Sequence, residues 1–124
     1  MFEQEHLVLC GANAYEQKYF YNPQFDKIPQ SIKEELHIIC VLFTEEVGGI
    51  FTIGFAPDGS VTMTTDFAGD DFLYDEISSG LMVGKIRSHK QELFESLQLY
   101  YKAMILHEDI SGLLAEEEEN DLND

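Results

Sequence analysis

Four side chains in this sequence have the donor types of a metal site. His6 and Cys10 form one close pair, His-x-x-x-Cys, and His37 and Cys40 form another, His-x-x-Cys. Two nitrogen and two sulfur donors would suit tetrahedral zinc. Zinc ribbons, however, set paired cysteines at a tight glycine knuckle, whereas His37-Ile-Ile-Cys40 sits in an apolar run. Buried cysteine is also a common core residue. The expectation is satisfied core side chains, with a small His/Cys metal site as the alternative. A second set is acidic: Asp66, Asp70, Asp71, Asp75 and Glu76 surround Gly69 and offer oxygen ligands for calcium or magnesium. Their spacing matches no EF-hand loop, and acids at a helix start are explained by the helix dipole. Covalent catalysis would rest on Cys10 with His6 as its local base, with no glycine-rich oxyanion loop beside them. There is no Walker loop, G-x-G-x-x-G or H-E-x-x-H. No catalytic residue, metal or cofactor is expected, and the chain reads as a non-enzyme.

A different chemistry is offered by Asn13, Tyr15, Tyr19 and Tyr21, with Phe20 among them. Tyrosine is stiff and amphipathic, so a group of them near a loop suits a surface that binds another molecule. The competing explanation is one edge in the core with the hydroxyls reaching water. These four residues are the expected partner-binding site.

Length and charge bound what the partner can be. At 124 residues the chain is one domain, and 44% hydrophobic content argues for a folded globule. With 24 acids against 7 bases the net charge is −17, a field that repels phosphate backbones and anionic lipid. Nucleic acid and membrane are therefore not expected as partners; a protein partner or a second copy remains. Residues 1–114 read as a single α+β domain and 115–124 as a disordered acidic tail, in which Glu116–Asp124 carries six acids. The N-terminal residues show no positively charged signal segment, and no apolar run approaches the ~18 residues of a membrane helix. The expectation is a cytoplasmic protein with Cys10 and Cys40 as reduced, buried thiols.

The elements that must position these residues are organised around residues 31–47. Ser31 and Glu34 have the form of a capping box, and Gly48 suits a left-handed residue after the last turn. Ile32, Leu36, Ile39, Cys40, Phe43 and Val47 form one stripe at helical spacing. Ile38, Val41 and Leu42 add a second apolar face, which predicts a buried central helix covered on both sides. Residues 49–67 alternate in two runs about Ala56-Pro57-Asp58-Gly59, an antiparallel β-hairpin with one apolar and one threonine-rich face. Leu7–Cys10 is available as a third strand, since a lone ribbon is marginal. Asn13 to Tyr21 fits a capped short helix or, through Tyr19-Phe20-Tyr21, a strand. Residues 72–106 read as a long C-terminal helix, with Ser78-Ser79-Gly80 and Gly84 as places for a break. The fold class is a two-layer α+β domain.

With the chain read, four segments carry a resemblance: Cys10-Gly-Ala-Asn-Ala-Tyr-Glu-Gln-Lys-Tyr19, Leu36-His-Ile-Ile-Cys-Val-Leu-Phe-Thr-Glu-Glu-Val-Gly-Gly49, Leu73-Tyr-Asp-Glu-Ile77 and Glu92-Leu-Phe-Glu-Ser-Leu-Gln-Leu-Tyr-Tyr101. Over nearly the whole chain the sequence resembles a family of small bacterial proteins classed as a domain of unknown function. The resemblance implies a bacterial origin and assigns no residue a role. In size, charge and element order the chain is also similar to acidic, dimeric secretion-type chaperones, though no motif is shared. The functional expectation is a non-enzymatic protein-interaction module acting as a homodimer, with a small metal-binding protein or an acidic chaperone-like dimer as alternatives.

Overall fold

The structure, a computed structural model, describes residues 7–106. In chain order it contains β1 (Leu7–Asn13), β2 (Lys18–Tyr21), a 3-10 turn (Pro23–Phe25), α1 (Gln30–Glu46), β3 (Ile50–Phe55), β4 (Val61–Asp66), α2 (Glu76–His89) and α3 (Gln91–Tyr101), which runs into a π turn, Lys102–Leu106. The strands make one antiparallel sheet in the order β2-β1-β3-β4. The protein is α+β, and the available third strand is β1, paired with β3 near the sheet centre. The expected acidic tail and His6 lie outside the described residues.

Sheet register follows from side-chain chemistry. The β1–β3 pairing slips between Val8 and Cys10, so Leu9 and Cys10 are both fully buried instead of alternating. On the inner face Phe43 of α1 stacks on Phe51 of β3 with centroids 4.3 Å apart, and Phe55 packs against Phe25 and Tyr101. On the outer face Thr52 and Thr64 share a hydroxyl hydrogen bond, while Phe20 and Val8 remain well exposed. Gly11 is required there: a Cβ would stand 2.7 Å from Thr52 Cγ2 and 2.9 Å from the Phe51 carbonyl oxygen. The Phe20 ring lies over the space the glycine leaves.

Segment 13–21 resolves into a turn and a strand. Asn13 Oδ1 does accept from the amides of Tyr15 (2.9 Å) and Glu16 (3.1 Å), as a cap would. Gln17 then adopts φ +55°, a left-handed conformation that stops a helix, and β2 pairs back on β1.

Three expectations about the helices need correction. First, α1 begins at Gln30 with Pro29 as its cap residue, and no side chain caps it. The Pro29 carbonyl already accepts from Ile32 and Lys33 at 3.0 Å, so Ser31 falls inside the first turn. Second, α1 is not buried all round. Leu36, Ile39, Cys40 and Phe43 face the core, whereas Ile38 and Leu42 are 59% and 46% exposed. A single sheet layer covers only one face of a helix, and α2 does not close over the other. Third, the C-terminal region is two helices broken at Lys90 (φ −118°, ψ 31°), not one. Gly80 and Gly84 lie inside α2, where added Cβ atoms would meet nothing. The break sits where α3 turns Leu93, Phe94, Leu97 and Tyr101 into the core. Lys90 Nζ is held there by Glu35 Oε2 at 2.8 Å.

Candidate functional site

The four residues expected to bind a partner come from one hairpin but go to different places. Asn13 spends its side-chain oxygen on the turn. Tyr15, at the tip, donates its hydroxyl to Asp71 Oδ2 at 2.6 Å and accepts from the Ala68 amide at 3.0 Å. It thereby ties the hairpin to the loop after β4. The Asp71 hydrogen bond favours the protonated phenol and holds Tyr15 above the usual tyrosine range.

Tyr19 and Tyr21, two apart on β2, lie on the side of α1. The Tyr19 ring stacks on His37 with centroids 4.1 Å apart and planes 18° apart. Its hydroxyl is buried with no hydrogen-bond partner among the described residues. Burial, then the charges that the neighbouring Cys10 and Cys40 thiols would carry, push its ionisation well up. Tyr21 donates to the Phe25 carbonyl at 2.7 Å and carries the Lys33 ammonium 5.5 Å above its ring. Burial is the chief reason its pKa is pushed up to about 12.

Asn13 and Tyr19 are brought together in a cleft of ≈ 570 Å³ between the hairpin and α1, with Gln17, Lys18, His37 and Glu45 also lining it. Tyr15 and Tyr21 are not part of it.

Cys10 and Cys40 touch, Sγ to Sγ, at 3.7 Å and are both fully buried and free. Contact with Cys10 and then burial raise the Cys40 thiol, the opposite of what a nucleophile or metal ligand needs. His37 lies on the exposed side of α1 against Tyr19. Among the described residues no three His, Cys, Asp or Glu side chains converge on a metal position. Asp66, Asp71 and Asp75 are used on the backbone instead. Asp71 accepts from the Leu73 amide, and Asp75 caps α2 by accepting from Ile77 and Ser78.

Two rows of side chains were not anticipated as a site. On α1, Glu34, Ile38, Leu42 and Glu46 follow one another every four residues, all exposed. On α2, Ile77, Leu81, Lys85 and His89 do the same, and Ile77 and Leu81 are 76% and 71% exposed. Just before α2, Phe72 and Leu73 are 90% and 94% exposed. A groove of ≈ 500 Å³ runs between the two helices, lined by Ile38, Leu42 and Glu46 on one side and Met82, Lys85 and His89 on the other. A sequence signal for the second row is the period of four at Leu73, Ile77 and Leu81.

This arrangement covers the segments that carried the resemblance, and the family match spans residues 6–109. The chain belongs to DUF6145, a family of unknown function. No curated protein and no solved structure matches the chain. The DUF6145 match takes in every described residue, including the Tyr19–His37 cleft and both exposed rows, but it assigns none of them a task. Among the described residues of this DUF6145 chain, no helix is long and apolar enough to cross a membrane.

Proposed function

We propose that the chain is a non-enzymatic protein-interaction module that acts as a homo-oligomer, a dimer in the simplest case. One observation carries this reading: six large apolar side chains, Ile38, Leu42, Phe72, Leu73, Ile77 and Leu81, stand in water on the helical side of the molecule. Between them they expose on the order of 700 Å² of apolar surface. It approaches the ~800 Å² that one partner contributes to a standard interface.

The middle turns of α1, apolar from Ile38 to Phe43, support the same reading, because such turns are ordinarily covered on more than one side. The strong negative charge disfavours indiscriminate self-association and leaves association to a surface that is locally apolar. Analytical ultracentrifugation over a range of protein concentrations tests the proposal. A reversible monomer–dimer equilibrium is expected. A monomer at every concentration, into the millimolar range, refutes the homo-oligomer.

A further inference from the structure

Resting on that homo-oligomeric reading, we infer that the occupant of the α1–α2 face is the same face of a second copy. The two copies are related by a two-fold axis, so that the Glu34-Ile38-Leu42-Glu46 row of α1 packs on the Ile77-Leu81-Lys85-His89 row of α2 in its partner. Both rows follow the i+4 ridge of a helix, the ridge that interdigitates in the commonest class of helix packing. Each holds two apolar side chains on consecutive turns followed by charge, and the charges are opposite: glutamate on α1 and Lys85 on α2. Setting the apolar pairs opposite one another brings a glutamate next to Lys85 whichever way the helices run.

Charge distribution favours a second copy over an unrelated partner. Lys85, Arg87 and Lys90 are three of only seven basic residues, and all lie within six positions of α2 and its end, in a chain of net charge −17. Lys90 is held by Glu35. Arg87 lies 5.9 Å from the Phe94 ring centroid. Neither Lys85 nor Arg87 forms a salt bridge with a described carboxylate, and Glu34 and Glu46 form none with a described base. A two-fold sets Lys85 of each copy against a glutamate of the other, twice per dimer, as an isologous contact requires.

Charge reversal tests this surface separately from the homo-oligomeric reading. One variant carries Lys85→Glu and Arg87→Glu; the other carries Glu34→Lys and Glu46→Lys. All four positions are exposed, so circular dichroism should show both variants folded. Each variant alone places like charges at both contacts and should dimerise at least ~10-fold more weakly than the native chain. Mixed, they restore opposite charges at both contacts, so native mass spectrometry should find the heterodimer in large excess over either homodimer. If the native chain is a dimer but the reversals leave it intact, or weaken it without rescue on mixing, this surface is wrong while the homo-oligomer stands. A native chain that is monomeric throughout overturns both and leaves the face to a different protein.

Discussion

Leu42 and Phe43 are neighbours in sequence and opposites in structure, which makes them the sharpest probe of how α1 is used. Phe43 is fully buried and stacked on Phe51, while Leu42 is 46% exposed. Truncating Phe43 to alanine removes a whole ring from a packed interior and leaves a cavity, so a loss of about 3–5 kcal/mol is expected. That is a large part of the ~5–15 kcal/mol that holds a domain of this size together. Leu42→Ala removes three carbons that are only half out of water and leaves no enclosed void. At about 0.8 kcal/mol per fully buried methylene, the loss is about 1 kcal/mol in the monomer. Urea unfolding followed by circular dichroism measures both at a protein concentration below the dimer constant. Raising the concentration should leave the Phe43→Ala difference nearly unchanged and enlarge the Leu42→Ala difference, because association stabilises the native chain by mass action and the variant loses it. Equal losses at low concentration would show that α1 is covered on both sides within one copy. A Leu42→Ala loss that does not grow with concentration would remove Leu42 from any interface.

Tyr19→Phe removes a buried hydroxyl that has no partner among the described residues, so the variant should be as stable as the native chain or up to about 1 kcal/mol more stable in urea unfolding; a loss of stability would reveal a partner for the hydroxyl. Tyr15, Tyr19 and Tyr21 all ionise above the usual value, so their contribution to stability is complete below pH ~10 and falls as pH rises through their folded values, about 12 for Tyr21. Ultraviolet titration of phenolate should therefore show a late group of tyrosines rising together with unfolding, and a single ordinary transition for all six tyrosines counts against the three environments. Gly49→Ala should destabilise by more than Gly84→Ala, since Gly49 has φ +72° and its Cβ would stand 2.5 Å from the Tyr74 ring, whereas Gly84 is open helix surface. Gly84→Ala should be neutral or stabilising by up to ~1 kcal/mol, and thermal melts of the two variants decide it.

What was legible in the sequence is what local chemistry fixes. The hairpin around Pro57-Asp58-Gly59 was legible because proline and a left-handed glycine (φ +93° at Gly59) specify the turn and period-two alternation specifies the faces. Asn13 was legible as a capping side chain, since its oxygen does take two amides, but not as the start of a β-turn. That outcome depends on β2 finding β1, a pairing between strands that capping chemistry does not encode. The break at Lys90 was hidden for the same reason. The glycines that weaken α2 are tolerated on an open surface, and the chain bends where the core draws in α3. Asn13, Tyr15, Tyr19 and Tyr21 stand out by residue type, but periodicity could not say that Tyr15 would bond Asp71, 56 residues away, or that Tyr19 would stack on His37.

The second face of α1 joins these strands of reasoning. Six consecutive apolar residues, Ile38 to Phe43, predict a helix with no wet side, yet the chain supplies a sheet for only one of its faces. A mutation that merely drifted to an apolar surface residue would have no reason to recur on a helical row, nor to be bracketed by glutamates at Glu34 and Glu46. Nor would the same four-residue spacing be expected on α2, ending in lysine and histidine where α1 ends in glutamate. Apolar centre with charged ends is the anatomy of an interface, in which burial supplies affinity and the rim supplies register and excludes wrong partners. The apolar second face of α1 is left uncovered within one copy, and the proposed dimer is what would cover it.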